Sequence, residues 1–173
     1  MKKILVTLTL LSIAICSYAQ RDIPAGGYMD VASVETSYGD NVGVSKQVTL
    51  YKIKDKEGNP DFILCVSSVM ATFSFGTVDS FASLAIPSGC TLLDFGTTYE
   101  DAMGNFDNLL ALFTEQDGAQ LELASHDGNA VICTLHKGLL GKHIGLEGTY
   151  LSKSDVKSLR TGLKLSKKFH PDL

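Results

Sequence analysis

Residues Asp61–Phe75 (DFILCVSSVMATFSF) are the longest apolar, β-branched and aromatic run beyond the N-terminal segment. Taken alternately, Phe62, Leu64, Val66 and Met70 fall on one side of an extended chain. Ile63, Cys65, Val69, Ala71, Phe73 and Phe75 fall on the other. Successive strand side chains point to opposite faces, so a strand here is apolar on both. A half-solvated strand would alternate apolar with polar. The run therefore predicts a central strand covered on two sides, with Ser67 and Ser68 marking a bulge or bend. A buried helix is the competing reading. The Val, Ile, Phe and Thr content, the turn signal Asp55–Pro60 (DKEGNP) before the run and Gly76 after it favour strand.

The first residues read as an export signal. Lys2 and Lys3 precede an apolar stretch, Ile4–Ile15, and Ser17-Tyr18-Ala19 places small residues where a signal peptidase reads. Cleavage is expected between Ala19 and Gln20, giving a secreted or periplasmic protein. Lipidation of Cys16 is the lesser alternative, because bulky Ile15 precedes it. The apolar stretch is shorter than a membrane span, and no later run reaches that length, so no transmembrane segment is expected after cleavage. Removing 19 of the 173 residues leaves 154, enough for one domain with a real core. The expected divisions are a signal over 1–19, a loose leader over 20–27, a single domain over 28–168 and a tail over 169–173. The signal holds two lysines and no acid, so the remainder carries 13 basic and 19 acidic residues, a net charge of −6. That balance argues against a nucleic-acid partner, which would need a basic footprint.

The rest of the chain reads as short elements. Tyr28–Ser37 and Gln47–Lys54 are strands, the second with a change of apolar face that suggests a twist or bulge. Ser80–Ile86 is another two-sided strand, and Cys90–Phe95 a short one. From Tyr99 to Phe113 the apolar residues recur in steps of three and four, one helical face, with Thr98 as N-cap. Gln120–Ser125 and Ala130–His136 flank Asp127-Gly128, which predicts a hairpin with a two-residue turn. Its register would pair Leu123 with Ile132 and Leu121 with Thr134. Lys137–Gly148 is glycine-punctuated with room for one more strand. A last helix starts at Ser152 or Ser154, with Val156, Leu159 and Leu163 as its apolar stripe. No internal repeat is visible. The expected fold is α+β: a mostly antiparallel sheet of about five to seven strands with two helices in a single domain.

Candidate chemistry is sparse. Cys65, Cys90 and Cys133 lack metal spacing and sit in apolar contexts, so buried thiols are favoured over a disulfide. His136 and His143, with Glu147, are the nearest approach to a zinc set, but seven residues apart is not a metalloprotease spacing. No metal or other cofactor is expected. Gly141-Lys142 lacks the rest of a phosphate loop. Asp101–Asn108 lacks the alternating ligands of a calcium loop. Glu35, Asp94 and Glu122 are acids with no visible convergence. Lys157, Arg160, Lys164, Lys167 and Lys168 make the last helix basic in an acidic chain. Its simplest reading is a solvated face, and its sharper one is contact with an anionic partner or lipid surface. The leading functional expectation is an exported, non-catalytic binding module whose partner is a protein or a small apolar ligand. A carrier for an apolar molecule, held against Asp61–Phe75 and Ser80–Ile86, is the first alternative. A small hydrolase built from scattered acids and histidines is the second.

Overall fold

The computed structural model describes residues 26–36, 46–55, 57–68, 90–126, 128–138, 141–146 and 148–173. Among them the order is β1 (Tyr28–Thr36), β2 (Lys46–Lys54), β3 (Pro60–Ser68), β4 (Cys90–Asp94), α1 (Tyr99–Leu112), β5 (Gln120–Ala124), β6 (Ala130–Gly138), β7 (Gly141–Leu146), β8 (Thr149–Ser152) and α2 (Lys153–Phe169). The class is α+β and antiparallel throughout. Among the described residues the strands number eight, in two four-stranded sheets ordered β1-β2-β3-β4 and β5-β6-β7-β8, rather than five to seven in one sheet. A single bridge from Leu93 to Ser125 and a hydrogen bond from His126 N–H to the Leu92 carbonyl join β4 to the end of β5. The expected strand Ser80–Ile86 and the second half of the central run, Val69–Phe75, lie outside the described residues.

The described part of that run forms β3, between β2 and β4. Phe62, Leu64 and Val66 enter the main core. Ile63 and Cys65 join Tyr51, Ile53 and Leu92 in a separate buried cluster on the opposite face. The apparent face switch in β2 is no bulge: β2 pairs with β3 without interruption from Lys46 to Lys54, and both of its faces are buried. The bulge is in β1, between Asp30 and Ala32. It frees the Val31 carbonyl, which accepts a hydrogen bond from Ser166 Oγ of α2 at 2.8 Å. Gly162 of α2 lies over Ala32 at the same place. A Cβ on Gly162 would fall 2.6 Å from the Ala32 Cβ, so the missing side chain is what lets this helix approach β1.

Each sheet is followed by a helix, and both helices begin on the same device. Thr98 Oγ1 accepts from Asp101 N–H while the Asp101 carboxylate accepts from Thr98 N–H. Ser152 and Asp155 repeat the exchange. This is a capping box, satisfying amide donors that a helix start leaves open. The buried residues Ala102 and Leu109 of α1 stand at the same offsets from the cap as Val156 and Leu163 of α2. Four strands and a helix therefore occur twice among the described residues, although only the cap and two core positions of each helix echo the duplication in sequence.

One core takes side chains from both sheets and both helices. Phe95 and Phe106 meet in it with ring centroids 4.9 Å apart. Cys133 is buried in this core and Cys65 in the second cluster. The chain end returns to the body: Leu173 is buried, and the Asp172 carbonyl accepts from Lys52 Nζ at 2.6 Å.

Candidate functional site

The second sheet has one covered and one open face. Leu123, Val131, Cys133, Leu135, Ile144, Leu146 and Leu151 face the core. This assignment depends on the β5–β6 register, which differs from the expected one by a residue. Leu123 pairs with Val131, and Leu121 with Cys133. The turn is longer than two residues: Gly128 N–H donates to the Ser125 carbonyl, Ser125 N–H to the Asn129 carbonyl, and Gly128 has φ 84°. That is a three-residue loop with glycine at its left-handed position. A one-residue slip exchanges a strand's faces. The observed register buries Val131, Cys133 and Leu135, and turns Ile132, Thr134 and His136 outward.

Three rings gather on the open face. His136 and His143 are direct partners on β6 and β7, with ring centroids 5.7 Å apart. Tyr150 of β8 stands nearly perpendicular to both, 4.8 Å from His143 and 6.1 Å from His136. Two glycines make the space. A Cβ on Gly145 would lie 3.0 Å from His136 Nε2 and 3.4 Å from Tyr150 Cε1, and one on Gly138 would lie 3.2 Å from His143 Cε1. The imidazoles rest over bare backbone, and their nitrogens and the phenol bring hydrogen-bonding capacity to this face. Ile132, 45 % exposed, extends the same face.

The histidine pair seen in sequence is thus brought together, as cross-strand neighbours. Glu147, the third member of that set, lies outside the described residues. Among the described residues no group of three or more His, Cys, Asp or Glu could hold a metal ion. Lys142 has a structural role: its ammonium donates to the Phe113 and Glu115 carbonyls at 2.9 and 2.7 Å, closing the C-terminal end of α1. Of the calcium-like segment, Asp101 is a cap and Asp107 pairs with Arg160.

The three unconnected acids stay apart. Glu35 and Asp94 occupy different strands of the first sheet, and Glu122 projects from the open face of the second. Asp94 has a neighbour that sequence reasoning missed. Asp61, the second residue of β3, lies beside the second apolar cluster, with its side chain 24 % exposed and its Oδ1 buried without a hydrogen-bond partner among the described residues. Burial first, and then the charge of Asp94, pushes its carboxyl up to about 6, against the backbone N–H of Phe62 and the His126 ring. His126 Nδ1 lies 3.9 Å from Asp61 Oδ2. Along the same face, burial also raises the Asp30 carboxyl. Burial, and then the Asp30 charge, pushes the Tyr51 phenol up to about 12. An acid opening a strand apolar on both faces was the available sign that Asp61 would be desolvated.

Five of the six basic residues of α2, the five named from the sequence, divide. Arg160 makes a two-point pair with Asp107 of α1, at 2.7 and 3.1 Å. Lys167 lies over the Tyr99 ring and donates to the Pro171 and Leu173 carbonyls. Lys157, Lys164 and Lys168 are exposed. Among the described residues no helix is long and apolar enough to cross a membrane.

Comparison of the chain with protein-family models, with curated proteins and with solved structures gives no match.

Proposed function

We propose that the protein is an exported binding module whose contact surface is the open face of the second sheet. The ring cluster of His136, His143 and Tyr150 carries this reading. These side chains touch one another on a solvated face, over two glycines that clear space for them. Rigid rings with polar edges give contact area at low entropic cost. The inward side chains of the same strands anchor this face to the core. Native mass spectrometry of the exported protein from its own compartment tests the proposal. A bound mass is expected on the wild type and absent from a His136→Ser, His143→Ser, Tyr150→Ser variant of unchanged fold. Retention of that mass by the variant would move the contact surface elsewhere.

A second reading, a small hydrolase, is supported by Asp61. A carboxyl held near pH 6 beside a histidine and a second carboxylate suits proton transfer, and its Oδ1 has no hydrogen-bond partner among the described residues. An activity screen against ester, peptide and glycoside probes, with Asp61→Asn and His126→Gln as controls, distinguishes the two. Turnover abolished by both substitutions would favour this reading over the first.

A further inference from the structure

The exposed side of α2 brings positive charge and apolar surface together. Lys153, Lys157, Lys164 and Lys168 follow one another on one flank, at helical steps of four, seven and four. All four are exposed, and none has a hydrogen-bond or ion-pair partner among the described residues. Beside them on the exposed half lie Leu165, 52 % exposed, and Phe169, 61 % exposed, the two most exposed large apolar side chains of the described residues. They are one turn apart, so they share a side. The helix's own acid, Asp155, is held in its cap. Of the acids on the adjacent α1, Asp107 is paired with Arg160 and Asp101 with the Thr98 cap, which leaves Glu100. The inner stripe of Val156, Leu159 and Leu163 is fully buried. Leu165 and Phe169 are thus surplus to the helix's own packing.

We infer that this face of α2 is a docking surface for an anionic lipid bilayer. Lysines in a line with two protruding apolar side chains match a headgroup layer, charged outside and apolar beneath. Four lysines supply the attraction, and Leu165 with Phe169 enter the acyl boundary. A net acidic chain would otherwise be repelled by such a surface. An acidic protein would complement the lysines but gives Phe169 and Leu165 no apolar layer to enter.

Vesicle co-sedimentation of the exported protein tests the inference, with phosphatidylcholine vesicles carrying a quarter phosphatidylglycerol and with pure phosphatidylcholine vesicles. Binding is expected to the first only, released by half-molar salt. Each lysine near the surface contributes about fivefold in affinity, so Lys157→Gln, Lys164→Gln, Lys168→Gln together should weaken it about a hundredfold. Phe169→Ser alone should weaken it several-fold, with charge and melting temperature unchanged. Equal binding to both vesicle types, binding that survives the triple substitution, indifference to Phe169→Ser, or no binding to anionic vesicles would each overturn it.

Discussion

The two helices each contain an interior glycine, and the fold gives the same substitution opposite signs at the two sites. Gly104 of α1 is exposed and a Cβ there would meet nothing within 4 Å. Replacing it with alanine should recover the ordinary helix-propensity gain of about 1 kcal/mol. For a domain of this size that raises the melting temperature by about 2–4 °C. Gly162 of α2 would gain the same propensity, but its Cβ would lie 2.6 Å from Ala32 Cβ and 3.4 Å from Ala32 Cα. Neither neighbour is a flexible side-chain end, so the helix must lift from β1, straining the Ser166–Val31 hydrogen bond nearby. Overpacking of this kind costs about 1–3 kcal/mol, which leaves Gly162→Ala with a net loss of about 0–2 kcal/mol after the propensity gain. Urea denaturation and thermal melting of both variants measure the contrast. Combining Gly162→Ala with Ala32→Gly removes the clash and should show a favourable coupling of at least about 0.5 kcal/mol. If Gly162→Ala stabilises as much as Gly104→Ala, and the double variant is additive, α2 does not lie on β1 at this distance.

Other consequences follow from the same contacts. The folded state holds the Asp61 proton up to about pH 6 against an ordinary value of 3.8, so this group's contribution is complete below about pH 4 and lost as pH rises through about 6. Asp61→Asn should match the wild type near pH 4 and exceed it in stability at pH 8; parallel stability curves would contradict the burial argument. Thr98→Ala and Ser152→Ala should each cost about 1 kcal/mol in urea denaturation by removing one half of a capping box. Gly145→Ala should displace the His136 ring, seen as shifted imidazole and tyrosine resonances. It should leave the melting temperature nearly unchanged, because the crowded atoms belong to an exposed side chain.

Much of the fold was written in the alternation of side chains, and what escaped has physical causes. β3 announced itself because it is buried on both faces, and α1 because Thr98, Ala102, Phe106 and Leu109 stand at helical spacing behind a cap. β7 and β8 did not, because Gly141, Gly145 and Gly148 dilute their pattern and a four-residue strand has room for only two inward side chains, Thr149 and Leu151. The β5–β6 register depended on turn length. Asp127-Gly128 is compatible with a two-residue or a three-residue loop, and the choice lies in which face of β6 fits the core. The bulge in β1 coincides with the docking of α2, a contact between Val31 and Ser166 that no local pattern encodes. The ring cluster was half visible. His136 and His143 were noticeable as a pair, but they meet only because of the β6–β7 register, and Tyr150 joins them from a strand the pattern did not reveal. Asp61 escaped because its neighbours Asp94 and His126 come from β4 and from the β5–β6 loop.

The central claim, that the open face of the second sheet is the contact surface, can be tested in the protein's own compartment. A photo-crosslinking amino acid placed at Ile132 sits on that face beside the rings. One placed at exposed Asn108 of α1 serves as the control. Irradiation should give a discrete crosslinked species from position 132, lost when His136, His143 and Tyr150 are replaced by serine, and none from position 108. Crosslinking from 108 alone, from both positions equally, or from 132 regardless of the rings would contradict the account.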